Sequence, residues 1–280
     1  MAKLLEGKDV AEKIKERLKE NIKSLKQAPV MASIMVGENP SAETYVRIQE
    51  KTAKDLGIVY HLHKLPENIG EEELIDFVIK LNADKAVNGI VLQQPLPKHI
   101  DYKKIVEIIS AKKDIEGMHP ANMGKVIFGQ ARIAACTATA VMELLDSTGV
   151  DLYGKEVVVV GHSEIVGKPL SLLLLERYAT VTVCHIATSK AGKLEEHVRR
   201  AEVLIVAVGK AGLIKGEWIK EGAIVVDVGI NCQCEKIVGD VEFEEAQKRA
   251  SQITPVPGGV GPLTVAILMR NLVEAAKLQQ

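Results

Sequence analysis

The segment Gly161-His162-Ser163-Glu164-Ile165-Val166-Gly167 follows a wholly apolar run, Val157 to Val160, and leads into Lys168, Pro169 and a Leu-rich stretch. A strand, a tight Gly/Ser loop and a helix N-terminus together make an anion site, because the helix end presents unpaired N–H groups and a partial positive charge. Gly161 permits the sharp turn, Gly167 lets the helix approach the sheet, and Pro169 suits a first helical turn. The spacing departs from G-x-G-x-x-G: Ser163 stands for the middle Gly and one residue is inserted. By itself the loop therefore fits either a phosphate cradle or an ordinary βα turn. A dinucleotide fold that takes NAD usually ends its second strand in an acid that binds the ribose hydroxyls. Here Cys184 is followed by His185, Ile186, Ala187, Thr188, Ser189 and Lys190, with no acid; His162, Thr188, Ser189 and Lys190 are types that line a 2′-phosphate pocket. Cys136 and Cys184 sit in apolar stretches and read as buried. Cys232-x-Cys234 has the spacing of a metal pair, yet no second Cys/His pair accompanies it, so no metal is expected.

Alternating strands and helices position these residues. Val10, Ile14, Leu18, Ile22 and Leu25 recur at helical spacing, which predicts an amphipathic helix from Asp9 to Leu25. Val30 to Val36 reads as a strand ended by Gly37, Asn39 and Pro40, and Ser41 as the cap of a helix to Leu56. Strands follow at Val59 to Leu65 and Gly89 to Gln93, with helices at Glu71 to Leu81 and Tyr102 to Ile109. After Cys136 come a helix from Ala138 to Thr148 and strands at Val157 to Val160, Val181 to Cys184, Val203 to Val208 and Ala223 to Val228. Between them fall helices after the 161–167 loop and at Leu194 to Arg200; the last helix runs from Thr264 to Leu278. This alternation predicts right-handed βαβ units around parallel sheets, with a break near Met118 to Ala135.

Composition removes several classes. In 280 residues, Lys and Arg number 36 against 37 Asp and Glu, for a net charge of −1, which gives no field to recruit nucleic acid or an anionic membrane. Aromatics are only 3%, too few for base-stacking platforms. No stretch approaches the roughly 20 apolar residues of a membrane span, and the charged N-terminus has no apolar signal core, so a soluble, cytoplasmic chain is expected.

Further segments share one pattern: Val36-Gly37-Glu38-Asn39-Pro40 followed by Tyr45-Val46; Gly89 through Gln93-Gln94-Pro95-Leu96-Pro97; Lys113-Asp114-Ile115-Glu116-Gly117; Asp227-Val228-Gly229-Ile230-Asn231; and Thr254-Pro255-Val256-Pro257-Gly258-Gly259-Val260-Gly261-Pro262. With the 161–169 loop they closely resemble the methylenetetrahydrofolate dehydrogenase/methenyltetrahydrofolate cyclohydrolase family, the bifunctional FolD type, over nearly the whole chain. The resemblance implies an α/β protein with an N-terminal three-layer α/β domain over residues 1–120, joined by the final helix over 264–280. It implies a Rossmann-type NAD(P)-binding domain over 136–263, facing the first across a cleft. It also implies a homodimer that takes a small folate, uses no metal, oxidises 5,10-methylenetetrahydrofolate to 5,10-methenyltetrahydrofolate and hydrolyses that to 10-formyltetrahydrofolate. By the same resemblance Tyr45, Gln49, Gln93 and Glu116 occupy catalytic positions. Tyr45, Gln93, Glu116, Pro257, Gly258 and Gly259 meet substrate, while Gly161, His162, Ser163, Ile165, Val166, Gly167, Thr188 and Ile230 meet the dinucleotide.

The departures are specific. The family's Tyr-x-x-x-Lys puts a lysine one helical turn after the tyrosine; here Tyr45 is followed by Gln49, which hydrogen-bonds but does not titrate. Lys51 falls about 200° around the helix from Gln49 and reads as a solvated face. Glu116 replaces the Asp that grips the pterin, Ala42 a Ser, and Ala135-Cys136-Thr137-Ala138 a Pro-Cys-Thr-Pro element. His185-Ile186-Ala187 lacks the family's phosphate-binding Ser and Arg. The expectation is a dehydrogenase that leans to NADP, with NAD possible, whose hydrolytic step is weak or lost. A fully bifunctional enzyme, a dehydrogenase for another pterin carrier and a non-catalytic dinucleotide-binding regulator stand as alternatives.

Overall fold

The computed structural model describes residues 1–233 and 236–280, the side chain of Ser41 excepted. The chain divides into two compact units: Lys13–Cys136 with Val265–Gln280, and Met1–Glu12 with Thr137–Thr264. In chain order the first half carries β1 (Lys3–Leu4), α1 (Gly7–Lys23), β2 (Val30–Val36), α2 (Pro40–Leu56), β3 (Val59–Leu65), α3 (Glu71–Ala83), β4 (Gly89–Leu92), α4 (Tyr102–Ile108) and α5 (Pro120–Ile127). In the first unit β2 lies between β3 and β4, all parallel, with Val30 opposite Val59 and Met31 opposite Gly89. Side chains alternate across β2. Ala32, Ile34 and Val36 pack with Leu74 and Val78 of α3 and Ile105 of α4, whereas Met35 meets Ala42 and Val46 of α2 with Tyr60 and Leu62 of β3. Helices thus cover both faces, which makes three layers.

The second half adds α6 (Cys136–Thr148), β5 (Glu156–Val160), α7 (Gly167–Leu175), β6 (Thr180–Cys184), α8 (Ile186–Lys190), α9 (Leu194–Arg200), β7 (Val203–Val206), β8 (Ile224–Asp227), β9 (Asn231–Gln233), β10 (Lys236–Val238), α10 (Phe243–Arg249), β11 (Gln252–Ile253) and α11 (Val260–Leu278). The second unit's parallel sheet has the order β1-β11-β8-β7-β5-β6. Its central strands β5, β7 and β8 are apolar but for Glu156 and Asp227 at strand ends, as a sheet covered on both faces requires: Val157, Val158, Val159, Val203, Ile205 and Val206 are fully buried. The chain leaves β5 for β6 on one side and returns to β7 on the other. That makes the end of β5 a topological switch point, where open α/β sheets bind ligands.

The structure corrects several boundaries. α2 starts at Pro40 and is capped by Asn39, whose Oδ1 accepts the Ala42 N–H at 3.1 Å; the expected cap, Ser41, lies inside the helix and its side chain is outside the described residues. α5 occupies the expected break between Met118 and Ala135. α11 begins at Val260 rather than Thr264, because Pro262 is tolerated in a first turn. Residues 1–12 group with the second unit, since β1 pairs with β11, and 265–280 group with the first. There Leu272 of α11 and Ile115 pack so closely on Gly89 that a Cβ at 89 would lie 2.7 Å and 2.4 Å from them. The Cys232-x-Cys234 pair falls partly outside the described residues; Cys232 itself is exposed. Among the described residues no helix is long and apolar enough to cross a membrane, and no group of three or more His, Cys, Asp or Glu is placed to hold a metal ion.

Candidate active site

In the first unit, packing of Ala42 and Val46 on Met35 seats α2 on the sheet and turns Tyr45 and Gln49, one turn apart, toward the same side. Gln49 is fully buried and Tyr45 partly so, while Lys51 is exposed, as its place on the helix requires. At the end of β4, Gln93 is buried and its Nε2 donates to Gln49 Oε1 at 2.9 Å and to Ser33 Oγ at 3.0 Å. The Tyr60 hydroxyl also donates to Gln49 Oε1, at 3.2 Å. Gln49 Nε2 is buried and meets no hydrogen-bond partner among the described residues. Ser33 and Tyr60 carry no signal in the sequence, where they read as ordinary strand residues.

Glu116 sits beside this group on the segment that follows the bridge between Ile90 and Asp114. Asp114 is its organiser: Oδ1 accepts the N–H groups of Gly117 and Met118, and Oδ2 those of His119 and the Asn122 amide, at 2.8 to 3.2 Å. Lys113 turns away and donates to the carbonyls of Leu81 and Asp84. Burial of the Glu116 carboxyl, with the Asp114 charge adding to it, raises it to about 8 against the N–H bond from Leu92. It therefore holds a proton at neutral pH and offers both a donor and an acceptor. Tyr45 is raised above its usual range, by burial first and then by Cys136 and Glu116, with the Gln49 side chain acting the other way. Tyr102 is raised by burial and Glu116. Cys136 is held by Asn271, whose Nδ2 also donates to the carbonyls of Ile115 and Ala134.

In the second unit, Gly161 ends β5 at φ +127°, and a Cβ there would lie 2.3 Å from the Ala207 carbonyl oxygen. A Cβ on Gly167 would lie 2.1 Å from the Gly161 carbonyl oxygen. Both positions must be glycine, as the loop reading requires. Ser163 closes the loop: its Oγ accepts the Val166 N–H and its carbonyl that of Lys168. Val166, at the N-cap of α7, supplies no side-chain cap; the Lys168 and Leu170 N–H groups go to the carbonyls of Ser163 and Val166 and Pro169 has none, which leaves the Gly167 N–H for an anion. These residues fit a dinucleotide pyrophosphate. The rings of His162 and His185 lie 5.1 Å apart, both exposed, and Thr188 Oγ1 accepts the His185 N–H. Ile230 is exposed beyond β8.

Asp227 is structural here: it accepts the N–H groups of Gly229, Asp240 and Val241, and burial raises it to about 6 against those bonds. The sequence reading missed Asp240, which is fully buried and accepts the N–H groups of Val208, Gly209 and Lys210, pinning the loop after β7. Gly258 has φ +114° and its carbonyl accepts the Gly7 N–H; Gly259 packs on Thr254, where a Cβ would lie 2.7 Å from the threonine Cβ. Pro257 follows a cis peptide bond.

A parallel sheet with a bare glycine loop after its switch strand defines a Rossmann-type dinucleotide-binding fold. Residues 5–116 match the family model described as tetrahydrofolate dehydrogenase/cyclohydrolase, catalytic domain, and residues 135–280 match the NAD(P)-binding domain of the same family. The chain is similar to the bifunctional protein FolD of Acetivibrio thermocellus, 50% identical over 99% of this chain and 98% of the other. Among solved structures it is similar to the bifunctional FolD dehydrogenase/cyclohydrolase of Campylobacter jejuni, 45% identical with a TM-score of 0.96 over 100% of both chains. It is also similar to the Trypanosoma brucei FolD complexed with NADP and an inhibitor, 40% identical with a TM-score of 0.93 over 99% and 98% of the two chains. The chain belongs to the tetrahydrofolate dehydrogenase/cyclohydrolase family.

Proposed function

We propose that the chain oxidises 5,10-methylenetetrahydrofolate to 5,10-methenyltetrahydrofolate with NADP, and that it hydrolyses the methenyl product slowly because an amide stands at position 49. Family membership and the T. brucei relative with bound NADP support the first part. The buried, non-titrating Gln49, bonded to Gln93, carries the second. NADP, bound at the Gly161–Gly167 loop, supplies the hydride acceptor. The chain's own residues hold the folate. The neutral Glu116 carboxyl pairs with the donor and acceptor edge of the pterin, and Tyr45 packs beside it.

Oxidation leaves a cation spread over N5, the bridging carbon and N10, and it needs alignment more than a protein base. Hydrolysis adds water to that carbon, and a proton must leave the water. A titrating group there contributes roughly 10²–10⁴-fold, and Gln49 supplies none. His162, with Thr188, Ser189 and Lys190, receives the 2′-phosphate, while Ser163, Ile165, Val166 and Ile230 line the dinucleotide. The enzyme works in the cytoplasm as a homodimer. The test is to incubate purified protein with methylenetetrahydrofolate and each dinucleotide. Reduction of NADP supports the reading; no reduction of either dinucleotide by folded protein removes it.

A further inference from the structure

Asn271 of α11 is buried and belongs to the first unit, yet the groups it touches lie 135 to 156 residues back along the chain. Its Nδ2 donates to the Ile115 carbonyl at 2.9 Å and to the Ala134 carbonyl at 3.1 Å. Both partners are pure acceptors, so the amide has one orientation. These bonds use both Nδ2 hydrogens, and the Cys136 sulfur at 3.4 Å is a weaker third contact. The two carbonyls belong to separate segments, 115–117 and 134–136, which clasp each other. The Cys136 N–H donates to the Glu116 carbonyl at 3.2 Å and the Cys136 thiol to the Ile115 carbonyl at 3.4 Å. Gly117 turns at φ +75°, and a Cβ there would lie 2.5 Å from the Ala134 carbonyl oxygen. Glu116 sits inside this clasp. The carbonyls on both sides of its Cα are tied, one by Asn271 and one by Cys136, and its carboxyl accepts the Leu92 N–H at the end of β4. Buried carbonyls that converge without a donor between them lose their hydrogen bonds and repel, and Asn271 supplies that donor.

We propose that Asn271 is a positioning residue: it closes the clasp that fixes the Glu116 backbone, and so makes the last helix part of the folate site. The inference rests on the reading that Glu116 meets the pterin. A glutamate has one more rotatable bond than an aspartate, so its carboxyl swings further for the same backbone shift. Anchoring of the backbone on both sides of Glu116 therefore decides where the carboxyl stands.

The test is a double-mutant cycle of Asn271→Ala and Glu116→Ala in the full chain, read by titration of tetrahydrofolate, which carries the pterin and does not react, and of NADP. Asn271→Ala is expected to weaken tetrahydrofolate binding about 3–10-fold and to leave NADP binding within about 2-fold. In the Glu116→Ala background the same change is expected to cost tetrahydrofolate binding less than about 2-fold, because no carboxyl remains to be placed. If Asn271→Ala does not fold, Asn271→Leu, which keeps the branched shape and removes the donor, goes through the same cycle with the same expectations. An equal loss in both backgrounds, or an equal loss for NADP, shows that Asn271 only supports the fold and overturns the proposal. So does full tetrahydrofolate affinity in the Asn271 variant when Glu116→Ala has lost it, and that result leaves the reading of Glu116 standing. A Glu116→Ala protein that binds tetrahydrofolate as tightly as the native one removes the pterin reading of Glu116, and this inference with it. NADP reduction by native protein, assayed separately, tests the proposed oxidation without reference to Asn271.

Discussion

Gln49 stands one helical turn from Tyr45 with its oxygen held by Gln93 and Tyr60. Gln49→Lys is expected to raise the rate of methenyltetrahydrofolate hydrolysis at least ~10-fold, measured as decay corrected for the buffer rate. The gain stays below the full range because Gln93 and Tyr60 both direct donors at the site, where an ammonium needs acceptors, and because Ala42 and Glu116 also alter the surrounding shell. Glu116 gives a second prediction. Its folded-state value, about 8, lies above the usual carboxylate range, so the folded protein binds this proton more tightly than the unfolded chain does. Its contribution to stability is complete below the ordinary value of about 4.3 and is lost as pH rises through the folded value. Glu116→Gln is therefore expected to gain thermal stability relative to native protein as pH rises from about 5 to about 9, read by denaturation midpoints across that range. Tyr45, Gln49, Gln93 and Glu116 were legible in the sequence because they fall inside motifs with fixed spacing. Ser33 and Tyr60 were not: each is one polar residue on a strand, and only the register of Ser33 with Leu62 and Met31 with Tyr60 brings them near α2.

At the scale of elements, the long apolar strands and the helices that cover them were readable from periodicity, and β2, β3 and α9 fall at the expected residues. Two-residue strands such as β1 and β11 carry no period, and their pairing depends on partners more than 200 residues away in sequence, Lys3 with Gln252 and Leu4 with Ile253. α5 was hidden because the buried faces of its eight residues are only Asn122 and Val126, too few for a helical stripe. The glycine loop was readable as geometry, and its prediction is sharp. Gly167→Ala puts a methyl 2.1 Å from the Gly161 carbonyl oxygen, so α7 must move away from β5. We expect a loss of roughly 1–3 kcal/mol in denaturant unfolding, together with at least a roughly tenfold weaker NADP titration, since the Gly167 N–H at the helix start leaves its place.

For the whole molecule, the sequence led to two α/β parts and to a dinucleotide cofactor, and the family comparison supports both. The grouping of residues 1–12 with the second unit could not be read from it, because the preference of β1 for β11 is written in neither segment alone. No acid follows β6, and His162 and His185 stand at the ends of β5 and β6, so a modest preference for NADP over NAD is expected. His162→Asp should lower kcat/KM for NADP at least roughly tenfold more than for NAD, through repulsion of the 2′-phosphate; equal losses with both dinucleotides would place that phosphate elsewhere. On the proposed function, one chain oxidises methylenetetrahydrofolate and hydrolyses the product slowly. The most direct test follows NADPH formation and methenyltetrahydrofolate concentration together in a single reaction of native protein. We expect methenyltetrahydrofolate to accumulate, with hydrolysis roughly 10²–10⁴-fold slower than oxidation. Hydrolysis that keeps pace with NADPH formation, and that Gln49→Lys leaves unchanged, would contradict it and assign the proton to another group.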